Sequence, residues 1–125
     1  MAGSDLLVVE VDPIKDGAVM VRLKGEVDIS SAHLLTSQFS SLAMNTPSTV
    51  VLDATEVTFM DSTGLHALVE GKRALHDNGS RIFLVPSRQV RRVLELVFPD
   101  PLFAFRLDSV EDALRQLDQE KAEPA

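Results

Sequence analysis

The chain has 125 residues, 45% of them hydrophobic and 25% charged, with six glycines, six prolines and no cysteine. This composition predicts one globular domain whose core needs no disulfides, and the lack of cysteine excludes thiolate metal sites, thiol nucleophiles and iron–sulfur clusters. The net charge of −7 at pH 7 disfavours nucleic acid as a ligand, because its phosphate backbone would be repelled.

Two short runs rich in β-branched residues, at positions 6–11 and 18–23, open the chain and are joined by a connector that contains Asp, Pro and Gly. Such runs on either side of turn-forming residues predict an antiparallel strand pair. The first run is too short for a signal peptide or a membrane span, and no positively charged segment precedes it. We therefore expect a soluble, cytoplasmic protein.

Between positions 32 and 42 apolar residues recur at intervals of three and four, which predicts an amphipathic helix that begins at an N-cap, Ser30 or Ser31. The mostly apolar run 49–53 then predicts a strand covered on both faces. After it, a short connector is expected to lead to the next helix.

The second half of the chain repeats the alternation of helix and strand. A helix is predicted from Thr63 to Asn78, with Gly79 as the residue that ends it. Further along, the pattern predicts a strand at 81–85, a helix at 90–97, a last short strand at 103–107 and a final helix that opens at a capping box, 109–112.

This order of elements predicts an α/β fold. Helices between successive strands after residue 49 require parallel pairing there, whereas the first two strands form an antiparallel hairpin. We expect a single domain over residues 1–125, with a core at about 6–117 and a disordered tail at 118–125. Its mixed sheet would have four to five strands covered by about four helices.

The residue types that usually carry catalysis are scattered along the chain. His66 and His76 lie on one predicted helix, roughly 15 Å apart along its axis and too far apart to share one metal ion, and His33 lies on another helix. The common hydrolase, zinc-protease, P-loop and dinucleotide-binding motifs do not occur. We expect neither a metal site, a cofactor nor enzymatic activity.

The most informative segment begins the helix that follows the central strand, with the sequence Asp61-Ser62-Thr63-Gly64. Ser62 is predicted to be the N-cap, and Gly64 is costly in a first helical turn, which indicates that another part of the chain approaches its backbone closely. A helix N-terminus also favours an anion, so Ser62 is suited to carry a phosphoryl group. A second, acidic turn, residues 25–28, follows the second strand and is expected at the same sheet edge.

Together, Gly25-Glu26-Val27-Asp28 and the run 59–65 resemble the STAS domain of bacterial anti-sigma factor antagonists, over roughly residues 6–117. The resemblance implies a protein-binding module of transcription regulation and stress response. In that family an anti-sigma factor that is itself a serine kinase phosphorylates the position of Ser62, and a metal-dependent serine/threonine phosphatase removes the phosphate. The unphosphorylated form binds the anti-sigma factor and frees a sigma factor. The implied partner-binding residues are Glu26, Asp28, Asp61, Ser62, Thr63 and Gly64.

Two alternatives remain open at this stage. One is a STAS scaffold or ligand-binding signalling module outside sigma-factor control. The other is a response-regulator receiver phosphorylated on Asp53, which is predicted to end a buried strand. Receivers need an acidic pair after the first strand and a lysine near the last one. This chain offers only Asp12 at the first place, and its last lysine is Lys121, in the tail.

Overall fold

Four strands and four helices make up most of residues 7–97 and 109–122, the part of the chain that the computed structural model describes. In chain order they are β1 (Leu7–Pro13), β2 (Ala18–Val27), α1 (Ala32–Asn45), β3 (Thr49–Met60), α2 (Ser62–Asp77), β4 (Arg81–Pro86), α3 (Arg88–Val97) and α4 (Val110–Ala122).

The strands form one sheet in the order β1-β2-β3-β4. β1 and β2 are antiparallel, whereas β3 is parallel to both of its neighbours, β2 and β4. The predicted mixed sheet with an N-terminal hairpin is therefore confirmed. Because α1 and α2 each connect two parallel strands, the carboxyl ends of β2 and β3 point to the same edge of the sheet.

Each face of the sheet is covered by helices. The larger core lies between the sheet and α1, α2 and α3, with the side chains of Leu35, Phe39, Leu68 and Leu94 among those fully buried. The smaller core lies on the opposite face, where Ala113 of α4 packs with Phe83 and its neighbours. Helices on the two faces thus bury the first half of β3, as the apolar run 49–53 predicted, together with most of β4.

Two strands are longer than the sequence indicated. β2 continues to Val27, through residues predicted as an acidic turn, and β3 continues to Met60, through residues predicted as a connector. The two strands stay paired there, with Glu26 opposite Phe59 and Val27 opposite Met60, but irregularities interrupt the register. These shifts and the exposed side chains of the second half of β3 remove the continuous apolar pattern on which the prediction depended.

Helix α2 ends as predicted, at Gly79. This residue has a φ of +93°, its N–H donates to the carbonyl of His76 at 3.0 Å, and the N–H of Ser80 donates to the carbonyl of Leu75 at 3.0 Å. The pair of bonds is a Schellman motif, which satisfies the last carbonyls of the helix. The helix therefore stops at a fixed point and leads directly into β4.

Helix α4 starts after Ser109, whose Oγ accepts a hydrogen bond from the N–H of Asp112 at 3.1 Å. The predicted tail boundary at residue 118 falls inside this helix, which continues to Ala122. Asp118 accepts a hydrogen bond from Lys15 in the β1–β2 connector. The predicted strand at 103–107 lies outside the described residues. None of the helices in the described ranges is long and apolar enough to cross a membrane.

Candidate functional site

Helix α2 is capped by Asp61. This residue has an extended backbone, with φ −102° and ψ −173°, and its Oδ1 accepts a hydrogen bond from the N–H of Gly64 at 2.9 Å. The prediction that Ser62 is the N-cap was therefore wrong, and Ser62 is the first residue inside the helix. The reason is the length of β3: since the strand continues to Met60, Asp61 is the residue at the boundary, and its carboxylate caps well.

The hydroxyl of Ser62 is left free by this arrangement. Its side chain is exposed and forms no hydrogen bond with any described residue, and that of Thr63 is exposed as well. At the first position of α2 the hydroxyl lies beside backbone N–H groups that no earlier carbonyl can satisfy. A group attached to Ser62 Oγ would meet a favourable helix dipole, and Ser62 would lose no hydrogen bond to a described residue.

Asp28 organises the loop between β2 and α1. Its Oδ1 accepts hydrogen bonds from the hydroxyl of Ser30 at 2.7 Å, the N–H of Ser30 at 3.0 Å and the N–H of Ser31 at 3.2 Å. The hydroxyl of Ser31 donates to the carbonyl of Glu26 at 2.8 Å. Ser31 is the N-cap of α1 by position, as one of the two predicted serines, but its side chain bonds to this loop instead of to the helix.

The hydrogen bonds to Asp28 also favour its ionised form. Chiefly the bond from the Ser30 hydroxyl, helped by the bonds from the Ser30 N–H and from Ser31, holds the pKa of Asp28 below its usual range. Burial acts in the opposite direction and does not outweigh them. Asp28 is consequently a firmly ionised carboxylate at the edge where β2 ends.

The register of β2 and β3 brings the two predicted segments together. Val27 is opposite Met60, so Asp28 and Asp61 follow neighbouring strand ends, and the N–H of Asp61 donates to the carbonyl of Val27 at 3.2 Å. Glu26 is half-buried at the end of β2, and Gly64 is buried against Val27. All six residues singled out from the sequence therefore lie at one edge of the sheet, in the segments that end β2 and begin α2.

Two apolar residues at this edge were missed from the sequence. Ile29 is 79% exposed in the loop after Asp28, and Phe59 is 47% exposed near the end of β3. Large apolar side chains exposed beside polar groups are typical of protein-binding surfaces. Their positions in the chain could have indicated exposure. Ile29 belongs to no helical or strand repeat, and Phe59 directly precedes the buried Met60.

An open groove of about 490 Å³ lies between α1 and α2. Its lining includes Ser62 and Thr63 at the start of α2, and His33 and Thr36 on α1, with His66 and Glu70 further along α2. The two helices pack closely beneath it, because a β-carbon on Gly71 would lie 1.9 Å from the ring of Phe39. Within the described ranges no group of three or more potential metal ligands occurs.

Asp53 lies in the middle of β3, and the prediction that it ends its strand was wrong. Its Oδ1 accepts hydrogen bonds from the N–H of Thr55 at 3.0 Å and from the hydroxyl of Thr55 at 2.6 Å. Receivers have a doubly wound parallel sheet of order 2-1-3-4-5, whereas β1 and β2 are adjacent and antiparallel in this chain. The fold therefore excludes the receiver alternative.

Solved structures share this fold. An anti-sigma factor antagonist from Mycobacterium paratuberculosis is 24% identical, covers 94% of this chain and 99% of its own, and superposes with a TM-score of 0.80. The phosphorylated form of the Bacillus cell fate determinant SpoIIAA is 21% identical, covers 88% of this chain and 99% of its own, and gives a TM-score of 0.70. The murine anion transporter Slc26a9 is 22% identical over 86% of this chain but only 18% of its own, with a TM-score of 0.74.

The sequence also matches a family model. The match to the STAS domain extends over residues 11–119 and so includes both segments at the sheet edge. The TM-scores of 0.80 and 0.70 show that the fold is shared with the two bacterial structures above. The chain belongs to the STAS domain family.

Proposed function

We propose that this chain is an anti-sigma factor antagonist controlled by phosphorylation of Ser62. In its unphosphorylated form it binds an anti-sigma factor, which is also a serine kinase, and so frees a sigma factor. The observation that carries the proposal is the exposed Ser62 hydroxyl at the start of α2, released from capping by Asp61. The likeness of the fold to the phosphorylated form of SpoIIAA supports it.

The surroundings of Ser62 suit a partner that docks on an unmodified hydroxyl. Ile29 and Phe59 offer apolar area, while Glu26, Asp28 and Asp61 offer acidic and hydrogen-bonding groups around it. We assign these residues, with Thr63 and the close-packed Gly64, to the partner-binding surface. Apolar anchors within a polar rim are the usual composition of such a surface.

In this proposal the chain itself catalyses nothing. The partner kinase transfers the γ-phosphoryl group of ATP to Ser62 Oγ, with loss of the hydroxyl proton and release of ADP. A metal-dependent phosphatase transfers the phosphoryl group to water and restores the hydroxyl. The reaction needs no metal or cofactor held by this chain, and we place it in the cytoplasm, where ATP and sigma factors are available.

The phosphate changes binding more than folding. It adds about −1.5 to −2 charges at pH 7, which the start of a helix accommodates. The same charge in the docked complex would have to lose water, and it would lie near the carboxylates of Asp28 and Asp61. Phosphorylation should therefore release the anti-sigma factor while the domain stays folded.

The test uses the partner kinase, ATP and the full chain, followed by fragmentation mass spectrometry. We expect phosphate on Ser62, none in Ser62→Ala, and phosphate on Ser62 again in Thr63→Ala. Neutral hydroxylamine should leave the phosphate in place, since it cleaves the acyl phosphate of an aspartate such as Asp53 but not the phosphate ester of a serine. Phosphate found on Thr63 alone, or released by neutral hydroxylamine, would refute the assignment.

A second candidate, a STAS scaffold or ligand-binding module outside sigma-factor control, is favoured by one observation. The fold also occurs as a small part of the anion transporter Slc26a9. The two candidates predict different binding partners for the chain in the native cytoplasm. Affinity capture with the wild-type chain and Ser62→Ala should yield a kinase that binds a sigma factor under the first candidate, and partners without either activity under the second.

A further inference from the structure

Two histidines line the groove beside Ser62. His66 is one helical turn after Ser62 on α2, and side chains four residues apart on a helix have β-carbons about 5–6 Å apart. Side chains on a helix lean toward its N-terminus, so the ring of His66 can reach the turn that carries Ser62. His33 lies in the first turn of α1, on the opposite wall of the groove.

His66 has a weak partner in the unmodified chain. Its Nε2 lies 3.8 Å from Glu70 Oε2, and the side chains are 74% and 54% exposed. Glu70 Oε2 is also 3.8 Å from Nη1 of Arg73. Exposed ion pairs of this length contribute little, and Glu70 keeps a cationic neighbour if His66 turns away. The ring of His66 is therefore available to a stronger anion one turn earlier.

The other charged groups placed at this sheet edge and in the groove are acidic. Glu26 and Asp28 lie at the end of β2 and in the loop after it, Asp61 precedes α2, and Glu70 lies further along the groove. The described lining of the groove contains no lysine or arginine, so its histidines are the side chains there that can become cationic. A dianion on Ser62 would have no other side-chain cation in the groove.

We infer that His66 and His33 hold the phosphate of phosphorylated Ser62 across the groove between α1 and α2. The inference rests on the proposed phosphorylation of Ser62 and adds the residues that receive the phosphate. A phosphoserine offers three strong acceptor oxygens, and its second ionisation, near pH 6, overlaps the range in which imidazoles gain a proton. His66 exchanges Glu70 for the phosphate, and the phosphorylated form gains a contact that strengthens as the pH falls from 7.5 toward 6.

The test installs phosphoserine at position 62 of the full chain during translation, so that no kinase is needed. Phosphorus NMR then follows the second ionisation of the phosphate from pH 4.5 to 8.5 in the parent protein and in His66→Gln, His33→Gln and His76→Gln. A unit charge about 5 Å away in water shifts such a midpoint by about half a pH unit. We expect the midpoint to rise by about that amount in His66→Gln and in His33→Gln.

His76→Gln is the matched control, because His76 is an exposed histidine in the last turn of the same helix, outside the groove. Its midpoint should equal that of the parent phosphoprotein. Equal midpoints in all four proteins would overturn the inference, and a rise in His66→Gln alone would overturn the part assigned to His33. Phosphorylation by the kinase and binding of the anti-sigma factor are measured in separate experiments. If the phosphate midpoints do not change, the proposed function still stands. If the kinase does not phosphorylate Ser62, this contact can still be tested on the phosphoserine installed during translation.

Discussion

The carbonyl oxygen of Val27 lies where a side chain on Gly64 would have to begin. A β-carbon on Gly64 would be 2.3 Å from that oxygen and 2.8 Å from Cγ1 of Val27. The same carbonyl accepts the hydrogen bond from the N–H of Asp61. The end of β2 is therefore packed directly on the first turn of α2, and this contact sets the position of Ser62 relative to Asp28.

We expect Gly64→Ala to destabilise the domain by about 1–3 kcal/mol, because the obstructing atom is backbone and the helix must shift to relieve the overlap. The better helix propensity of alanine, about 1 kcal/mol, offsets part of this cost. Urea unfolding measures the change, with Thr63→Ala as the matched control at an exposed neighbouring position. A Gly64→Ala protein as stable as the parent would show that α2 is not packed this closely.

Asp61 and Ser62 should differ sharply in their effect on stability. Asp61→Ala removes the cap of α2 and should cost about 1 kcal/mol, and Asp61→Asn should recover most of it, since an asparagine also caps. Ser62→Ala should change the free energy of unfolding by less than about 0.5 kcal/mol, because its hydroxyl has no partner to lose among the described residues. A larger loss of stability in Ser62→Ala than in Asp61→Ala would mean that Ser62 is the N-cap of α2.

Periodicity and turn residues were enough to predict most of the fold. The helical repeats at α1 and α2, the stop at Gly79 and the hairpin are local signals, and the parallel pairings follow from the helices between strands. The cost of Gly64 in a helix also predicted a close neighbour correctly. The identity of that neighbour, Val27, depends on tertiary packing and could not be predicted from local sequence patterns.

The site was predicted in its location but not in its details. Asp61 and Ser62 are both good N-caps, and the choice between them depends on where β3 ends. That end was hidden because the second half of β3 is partly exposed and its register with β2 is interrupted. Ile29 and Phe59 were missed because residue type alone does not show whether an apolar side chain is buried or exposed. Their exposed fractions are known only from the structure.

Asp28 should make stability depend on acid pH. Its pKa is lower in the folded chain than in the unfolded chain, so the ionised form favours folding above about pH 4, and this contribution is lost as the pH falls through the folded pKa. We expect Asp28→Asn to be less stable than the parent at pH 7, with a difference that shrinks on acidification. Urea unfolding at several pH values measures it. A flat difference for Asp28→Asn across this pH range would contradict the role of its hydrogen bonds.

Ile29 and Phe59 should contribute to partner binding and not to stability. Replacing either by serine removes apolar area that only a docked partner would cover, so affinity for the anti-sigma factor should fall tenfold or more. The midpoint of thermal unfolding should stay near that of the parent. Met44→Ser is the control, because Met44 is 85% exposed near the opposite end of α1. Equal losses in all three variants would mean that exposed apolar residues act nonspecifically.

Phosphorylation of Ser62 should act on the complex and leave the fold nearly unchanged. A misplaced interfacial charge commonly costs several kcal/mol, and even about 3 kcal/mol lowers affinity more than a hundredfold. Calorimetric titration of the anti-sigma factor should give tight binding to the parent and to Ser62→Ala, and weak binding to Ser62→Asp and to the phosphorylated chain. Amide NMR of each free protein should show shifts confined to residues near 25–33 and 60–70, where the loop after β2 and the groove adjoin Ser62. Equal affinities, or shifts throughout the core around Leu52 and Leu84, would replace the surface-charge mechanism with a rearrangement of the domain.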